Sequence, residues 1–103
     1  MPEFSNPFAG VANAKKLSKD ELVRAIRFNV AAEFEAIQMY TQLADSVDDP
    51  LAQAVLRDIA EEETVHAGEL LRLVKHLAPN EEKLYNKGAV EVEEQMEKLK
   101  IKK

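Results

Sequence analysis

The sequence predicts an all-α chain: an antiparallel two-helix hairpin followed by a C-terminal helix, with the hairpin dimerising into a four-helix bundle. Three observations predict it. Alanine, leucine, glutamate and lysine are abundant, while Gly and Pro together number only 7 of 103 residues, a composition that favours helix. Two long stretches repeat apolar residues at spacings of three and four. Between them lies a short turn, and a connection that short makes its neighbours an antiparallel pair.

Residues 1–16 lack a helical period and are broken by Pro2, Pro7 and Gly10. They read as a flexible segment, with Phe4 and Phe8 its only large apolar groups. The first helix opens on Ser18 as N-cap. Glu21 completes a capping box, and Leu17 and Leu22 are spaced as a hydrophobic staple. Leu22, Ile26, Asn29, Glu33, Ile37, Tyr40 and Ala44 then mark one face, and the helix is expected to reach Asp45. After Ser46–Asp48, Asp49 caps a second helix with Pro50 in its first position. Its stripe runs through Leu51, Val55, Ile59, His66, Leu70, Leu73 and Leu77, and Pro79 ends it. Beyond, Asn80 is placed to cap a short turn over residues 81–85, and Asn86, Lys87 and Gly88 read as a break. A last helix is expected over 89–103, with glutamates early and lysines late. No stop signal marks its end. The expected organisation is therefore a segment at 1–16, a helical hairpin at 17–78 and a C-terminal helical segment at 79–103.

Composition narrows the function. A net charge of −5 argues against a nucleic-acid partner. No cysteine is present, so a metal would be held by oxygen and nitrogen. The longest uncharged runs, such as 36–44, are about half of a membrane span. The first residues carry no basic head followed by an apolar stretch, so cytosol is the default compartment.

The most informative motif is Glu63-Thr64-Val65-His66. Three residues is nearly one turn, so Glu63 and His66 project from the same, otherwise apolar, side of the helix. A carboxylate and an imidazole among leucines need compensation, and a metal ion is one form of it. Glu-x-x-His on a bundle helix is a ligand pattern of di-iron carboxylate proteins. Wheel positions select Glu63 from the run Glu61-Glu62-Glu63, because Glu61 faces away and Glu62 lies at the edge. On the first helix Glu33 sits at the centre of the apolar face. Glu33 lies about 14 residues before the turn centre and Glu63 about 16 after it, so both are roughly 21–23 Å from the turn. The three residues should meet at one level. One hairpin supplies half of a four-helix di-metal site, and a second copy about a two-fold axis supplies the rest. Four carboxylates and two imidazoles suit iron or manganese better than structural zinc. His76 reads as surface. Phe28, Ala32 and Met39 form a further apolar strip on the first helix that a dimer would leave uncovered.

Glu33-Phe34-Glu35-Ala36-Ile37-Gln38-Met39-Tyr40 and Glu62-Glu63-Thr64-Val65-His66-Ala67 resemble the encapsulated ferritins, short ferritin-like proteins housed in encapsulin nanocompartments. The similarity covers roughly residues 18–77. It implies a ferritin-like bundle in which two chains share a di-iron centre, and a ferroxidase that oxidises Fe(II) to Fe(III) with dioxygen. It further implies dimers joined in a decameric ring, and a place in the cytoplasm inside an encapsulin shell, as cargo or as a fusion. Carried over by motif, Glu33, Glu63 and His66 are the iron ligands, two irons per dimer, and Tyr40 is a tyrosine just outside the ligand set. Glu35 matches one acid of a metal-uptake site; the other acid, next to Glu33, is Ala32 here, and a frequent tryptophan is Met39. The residues alone also allow a manganese protein or peroxidase on the same scaffold, or a non-enzymatic helical assembly module whose buried Glu and His fix pairing.

Overall fold

A computed structural model of the chain describes residues 10–12 and 14–102. Phe4 and Phe8 lie outside the described residues. Three helices follow in order: α1 Lys19–Asp45, α2 Pro50–Leu77 and α3 Pro79–Lys98. Among the described residues there is no strand, and no helix is long and apolar enough to cross a membrane.

Local chemistry sets the boundaries. Ser18 and Glu21 form the reciprocal capping box: the Glu21 amide donates to Ser18 Oγ at 3.2 Å, and the Ser18 amide donates to Glu21 Oε1 at 2.8 Å. Leu17 and Leu22 stay partly exposed beside it. Asp49 caps α2 by accepting from the amides of Leu51 and Ala52, and Pro50 follows at the first helical position. The turn is tied down by Gln53, whose amide donates to the Val47 carbonyl at 2.6 Å, and by Arg57 on Asp45 at 2.9 Å.

The C-terminal region differs from the sequence expectation. The break expected at 86–88 is absent, and α3 is one continuous 20-residue helix. Its N-cap is Ala78, which makes no side-chain cap bond, and Asn80 lies inside the first turn. Proline at the first position pre-sets the helical φ without losing a needed donor. Gly88 then costs only about 1 kcal/mol relative to alanine, too little to stop a helix already nucleated. The end is also better defined than expected. Lys100 adopts φ 59°. The Lys100 amide bonds the Glu97 carbonyl at 3.0 Å, and the Ile101 amide reaches back to Met96 at 2.8 Å. This is a Schellman stop with lysine in the left-handed position usually held by glycine.

The hairpin seam is built on seven-residue spacing. Val23, Val30, Ile37 and Ala44 line α1, with Ile26, Glu33 and Tyr40 interleaved; Ala60, Ala67 and Val74 line α2, with Glu63, Leu70 and Leu77 interleaved. Val23, Ile26 and Val74 form the buried cluster at the open end, joined by Val30, Leu70, Leu77 and Ala78. Toward the turn the buried positions are alanines, Ala44, Ala60 and Ala67, which let the backbones approach closely.

The chain is thin. It extends 52 × 48 × 18 Å with a Cα radius of gyration of 18.4 Å, against about 13 Å for a compact domain of this length. The third dimension is little more than one layer of helices. α3 leaves the end of α2 at the Ala78–Pro79 elbow and touches the hairpin only through its first turns. Arg27 pairs there with Glu81, and Lys75 with Glu82 at 3.0 Å.

Gly88 has no positive φ, and a Cβ added there meets nothing within 4 Å. Gly88→Ala is therefore expected to raise helicity and to stabilise the chain by about 0.5–1 kcal/mol. Circular dichroism during thermal melting checks this; a loss of helicity would contradict an uninterrupted α3.

Candidate metal centre

Glu33 occupies the middle of the α1 seam row, and Glu63 the middle of the α2 row. The antiparallel turn brings them face to face at the same depth. His66 is one turn beyond Glu63 and about 60° further round the helix, so it leans out of the seam. The three offer ligand atoms that all lie within 4.8 Å of one another. His66 Nδ1 is 3.7 Å from Glu63 Oε2 and 4.0 Å from Glu33 Oε2. The two carboxylate side chains are 24% exposed and the imidazole 51%, so the cluster opens on one side of the hairpin.

That side has a distinct character. Arg27 and Asp45 on α1, and Arg57 and Lys75 on α2, leave the seam on the opposite side and make ion pairs there. On the side of the cluster, α1 presents Leu22 and Asn29, and α2 presents Val55 and Leu73. The three apolar residues are 38–48% exposed. The sequence stripe assigned to one core is thus two adjacent surfaces: a narrow seam within the hairpin and an open apolar face beside it. Val23, Ala60, Ala67 and Val74 were missed as seam residues because alanine and valine give a weak hydrophobic signal. Their strict seven-residue spacing is the signal that identifies them.

Electrostatics at the cluster are unbalanced. Glu63 holds the Glu33 carboxyl above its ordinary 4.5, chiefly by sharing a proton; burial and the negative charge of Glu63 act in the same direction, and His66 opposes them. Glu33 Oε2 is shielded from solvent and has no hydrogen-bond partner. A buried acceptor without a donor is costly, and two facing carboxylates need a proton or a cation between them. The donor set, with an orphaned oxygen aimed into it, fits a hard divalent cation.

The other candidates lie elsewhere. Tyr40 is half-buried on the seam, two turns from Glu33 toward the hairpin turn. Glu35 is exposed on the outer side of α1 beside Ala31, Ala32 and Met39, and the structure does not bring it to the trio. Glu61, Glu62 and His76 are exposed.

A raised Glu33 pKa fixes the sign of a pH effect in metal-free protein. Between the ordinary value near 4.5 and the higher folded value, the folded chain holds the proton and the unfolded chain does not. The stabilisation from holding it is complete below about 4.5 and is lost as pH rises through the folded value. Glu33→Gln removes this titration. In chelator, wild-type melting temperature should fall relative to that variant as pH is raised above about 4.5. Parallel curves would contradict the carboxylate coupling.

Comparison with known proteins agrees with the fold and the cluster. The rubrerythrin family matches residues 24–102. The encapsulin nanocompartment cargo protein EncC of Myxococcus xanthus is 37% identical over 91 residues, covering 88% of this chain and 68% of that protein. A ferritin-like–encapsulin shell fusion protein of Pyrococcus furiosus is 35% identical over 80 residues, 78% of this chain but only 23% of the fusion. The crystal structure of the encapsulated ferritin domain from Pyrococcus furiosus superposes with a TM-score of 0.79 at 34% identity, covering 86% of this chain and 90% of that one. With most of its length matched by the family and its fold shared with that domain, the chain belongs to the rubrerythrin family, among the encapsulated ferritins.

Proposed function

We propose that the chain is a ferroxidase: two copies pair across the open face of the hairpin and oxidise Fe(II) to Fe(III) with dioxygen at a di-iron site between them. One observation carries the reading. Glu33, Glu63 and His66 converge within 4.8 Å, with a buried Glu33 oxygen left unbonded, on an apolar face that the described chain does not cover. A second copy about a two-fold axis doubles the set to four carboxylates and two imidazoles, the di-metal complement of a four-helix bundle. Glu33, Glu63 and His66 of both copies would hold two ferrous ions there, and iron so bound would supply one electron per ion for the reduction of dioxygen.

The chain's own groups set the conditions. Glu33 and Glu63 concentrate negative charge at the seam, which draws cations and offsets the repulsion between two of them. His66 adds a nitrogen donor on the outer side, where the partner approaches. Leu22, Val55 and Leu73 lie along the same face and would be covered when the chains pair, which keeps water from that face. Tyr40 stands outside the ligand set in the same seam. Any part Glu35 takes in metal uptake is exercised from the outer side of α1. The names of the Myxococcus and Pyrococcus relatives support a site of action inside an encapsulin shell, as cargo or as part of a fusion; the joining of pairs in a decameric ring is part of the proposal.

Anaerobic titration with Fe(II) should saturate near two irons per pair of chains, and oxygen should then oxidise them. A manganese protein would bind without rapid ferrous oxidation, and an assembly module would bind no metal there. Either result would overturn the ferroxidase reading. Glu33→Ala, Glu63→Ala and His66→Ala should each slow oxidation by about a hundredfold or more, since even outer partners of metal ligands cost 10–100-fold. Glu61→Ala and His76→Ala should stay within about twofold of wild type, because neither side chain belongs to the cluster. Comparable losses at Glu61 or His76 would place the site on the wrong side of α2.

Metal bound between chains stabilises the pair by mass action. Iron should therefore raise the melting temperature and shift dilute protein toward dimers or larger species in native mass measurements. Glu33→Ala should lack the shift. A monomer that oxidises iron at full rate would contradict a shared site.

A further inference from the structure

We propose that Asn29 is a positioning residue for His66: its side-chain oxygen accepts a hydrogen bond from the imidazole nitrogen that does not hold the metal. The inference rests on the reading of Glu33, Glu63 and His66 as a metal site, and not on the oxidation of iron there. Asn29 belongs to the row Leu22, Asn29, Ala36 and Leu43, which flanks the α1 seam on the open face at seven-residue spacing. Ala52, Ile59, His66 and Leu73 form the matching row beside the α2 seam.

The facing carboxylates give the register of these rows. Asn29 is four residues before Glu33, and His66 is three after Glu63. In an antiparallel hairpin both then lie about 4.5–6 Å from the carboxylates, toward the open end. The same count sets Leu22 opposite Leu73, Ala36 opposite Ile59 and Leu43 opposite Ala52. Those pairs are apolar. The remaining pair joins the one carboxamide of the α1 row to the one imidazole of the α2 row. Leucine at position 29, as at 22 and 43, would complete the row and bury more apolar surface. Asparagine is also the poorer helix former. A residue that local packing and propensity both disfavour, placed opposite a metal ligand, points to a role at the site.

The chemistry of the two groups fits. The imidazole nitrogen nearest the carboxylates is Nδ1, 3.7 Å from Glu63 Oε2 and 4.0 Å from Glu33 Oε2. Metal held on Nδ1 leaves the proton on Nε2. A histidine ligand donates this second N–H to an acceptor, which fixes its tautomer and the plane of its ring. Asn29 offers such an acceptor, and no hydrogen bond among the described residues engages its side chain. Pairing removes water from both groups, and each left alone would be a buried polar group without a partner. One bond between them satisfies both and ties α1 to α2 beside the ligands.

Zn(II), which is diamagnetic and is not oxidised by dioxygen, is the probe. Calorimetric titration of the full chain should show Zn(II) affinity about ten- to a hundredfold weaker in Asn29→Ala and Asn29→Leu. Asn29→Asp keeps an oxygen at the same reach and should recover most of the loss. Asn29→Leu separates positioning from packing: in chelator it should melt no lower than wild type, although it binds Zn(II) more weakly. Nitrogen-edited NMR of the Zn(II)-loaded chain should show the His66 Nε2 proton as a slowly exchanging signal in wild type and Asn29→Asp. Asn29→Ala should lose that signal to exchange with water. Unchanged Zn(II) affinity or an unchanged His66 proton signal in Asn29→Ala would each overturn the proposal. So would an Asn29→Leu chain whose affinity and melting temperature fall together, the mark of a packing role. Wild type that binds no Zn(II) would remove the metal site and this inference with it. Zn(II) binding that depends on Asn29, without ferrous oxidation, would count against the ferroxidase reading alone.

Discussion

Two carboxylates face each other at the centre of a seam that otherwise consists of valine, leucine, isoleucine, alanine and one tyrosine. Everything distinctive about this chain follows from that arrangement. Glu33 and Glu63 sit at positions where a coiled-coil-like hairpin needs knobs. Instead of packing energy they bring mutual repulsion, a raised Glu33 pKa and a shielded oxygen without a donor. A shielded acceptor without a donor is costly. The two carboxylates stand at the midpoint of the long α1–α2 contact, where a proton or a cation between them would relieve the repulsion.

The second constraint is thickness. Six buried apolar residues among those described, three of them alanine, are a small core. The hairpin alone buries one narrow seam and leaves an apolar face on one side and ion pairs on the other. The asymmetry assigns work to the two sides. The ion-paired side fixes the elbow and the direction of α3. The apolar side carries His66, so in the proposed pair the completion of a hydrophobic core and the completion of a metal site would be one event.

Much of this was legible in the sequence. Ser18, Glu21, Asp49 and Pro50 are local signals, and local signals fix helix starts. The level of the trio followed from counting residues on either side of a short turn. Two features were less legible. The apolar stripe of each helix reads as one surface from periodicity alone, because a wheel cannot show where one partner ends and the next begins. Only the packed seam separates Val23 and Val74 from Leu22 and Leu73. The apparent break at Asn86-Lys87-Gly88 weighed local propensity over helix continuity, and the helix end at Lys100 uses a left-handed lysine that no residue preference announces.

The central claim is that ligands from two chains enclose one site. Anomalous scattering from crystals grown anaerobically with Fe(II) tests it most directly. The account predicts two iron peaks per pair of chains, about 3.5–4 Å apart, each reached by Glu33, Glu63 and His66 side chains drawn from both copies. A single peak ligated by one chain, or iron bound away from Glu33, Glu63 and His66, would contradict it.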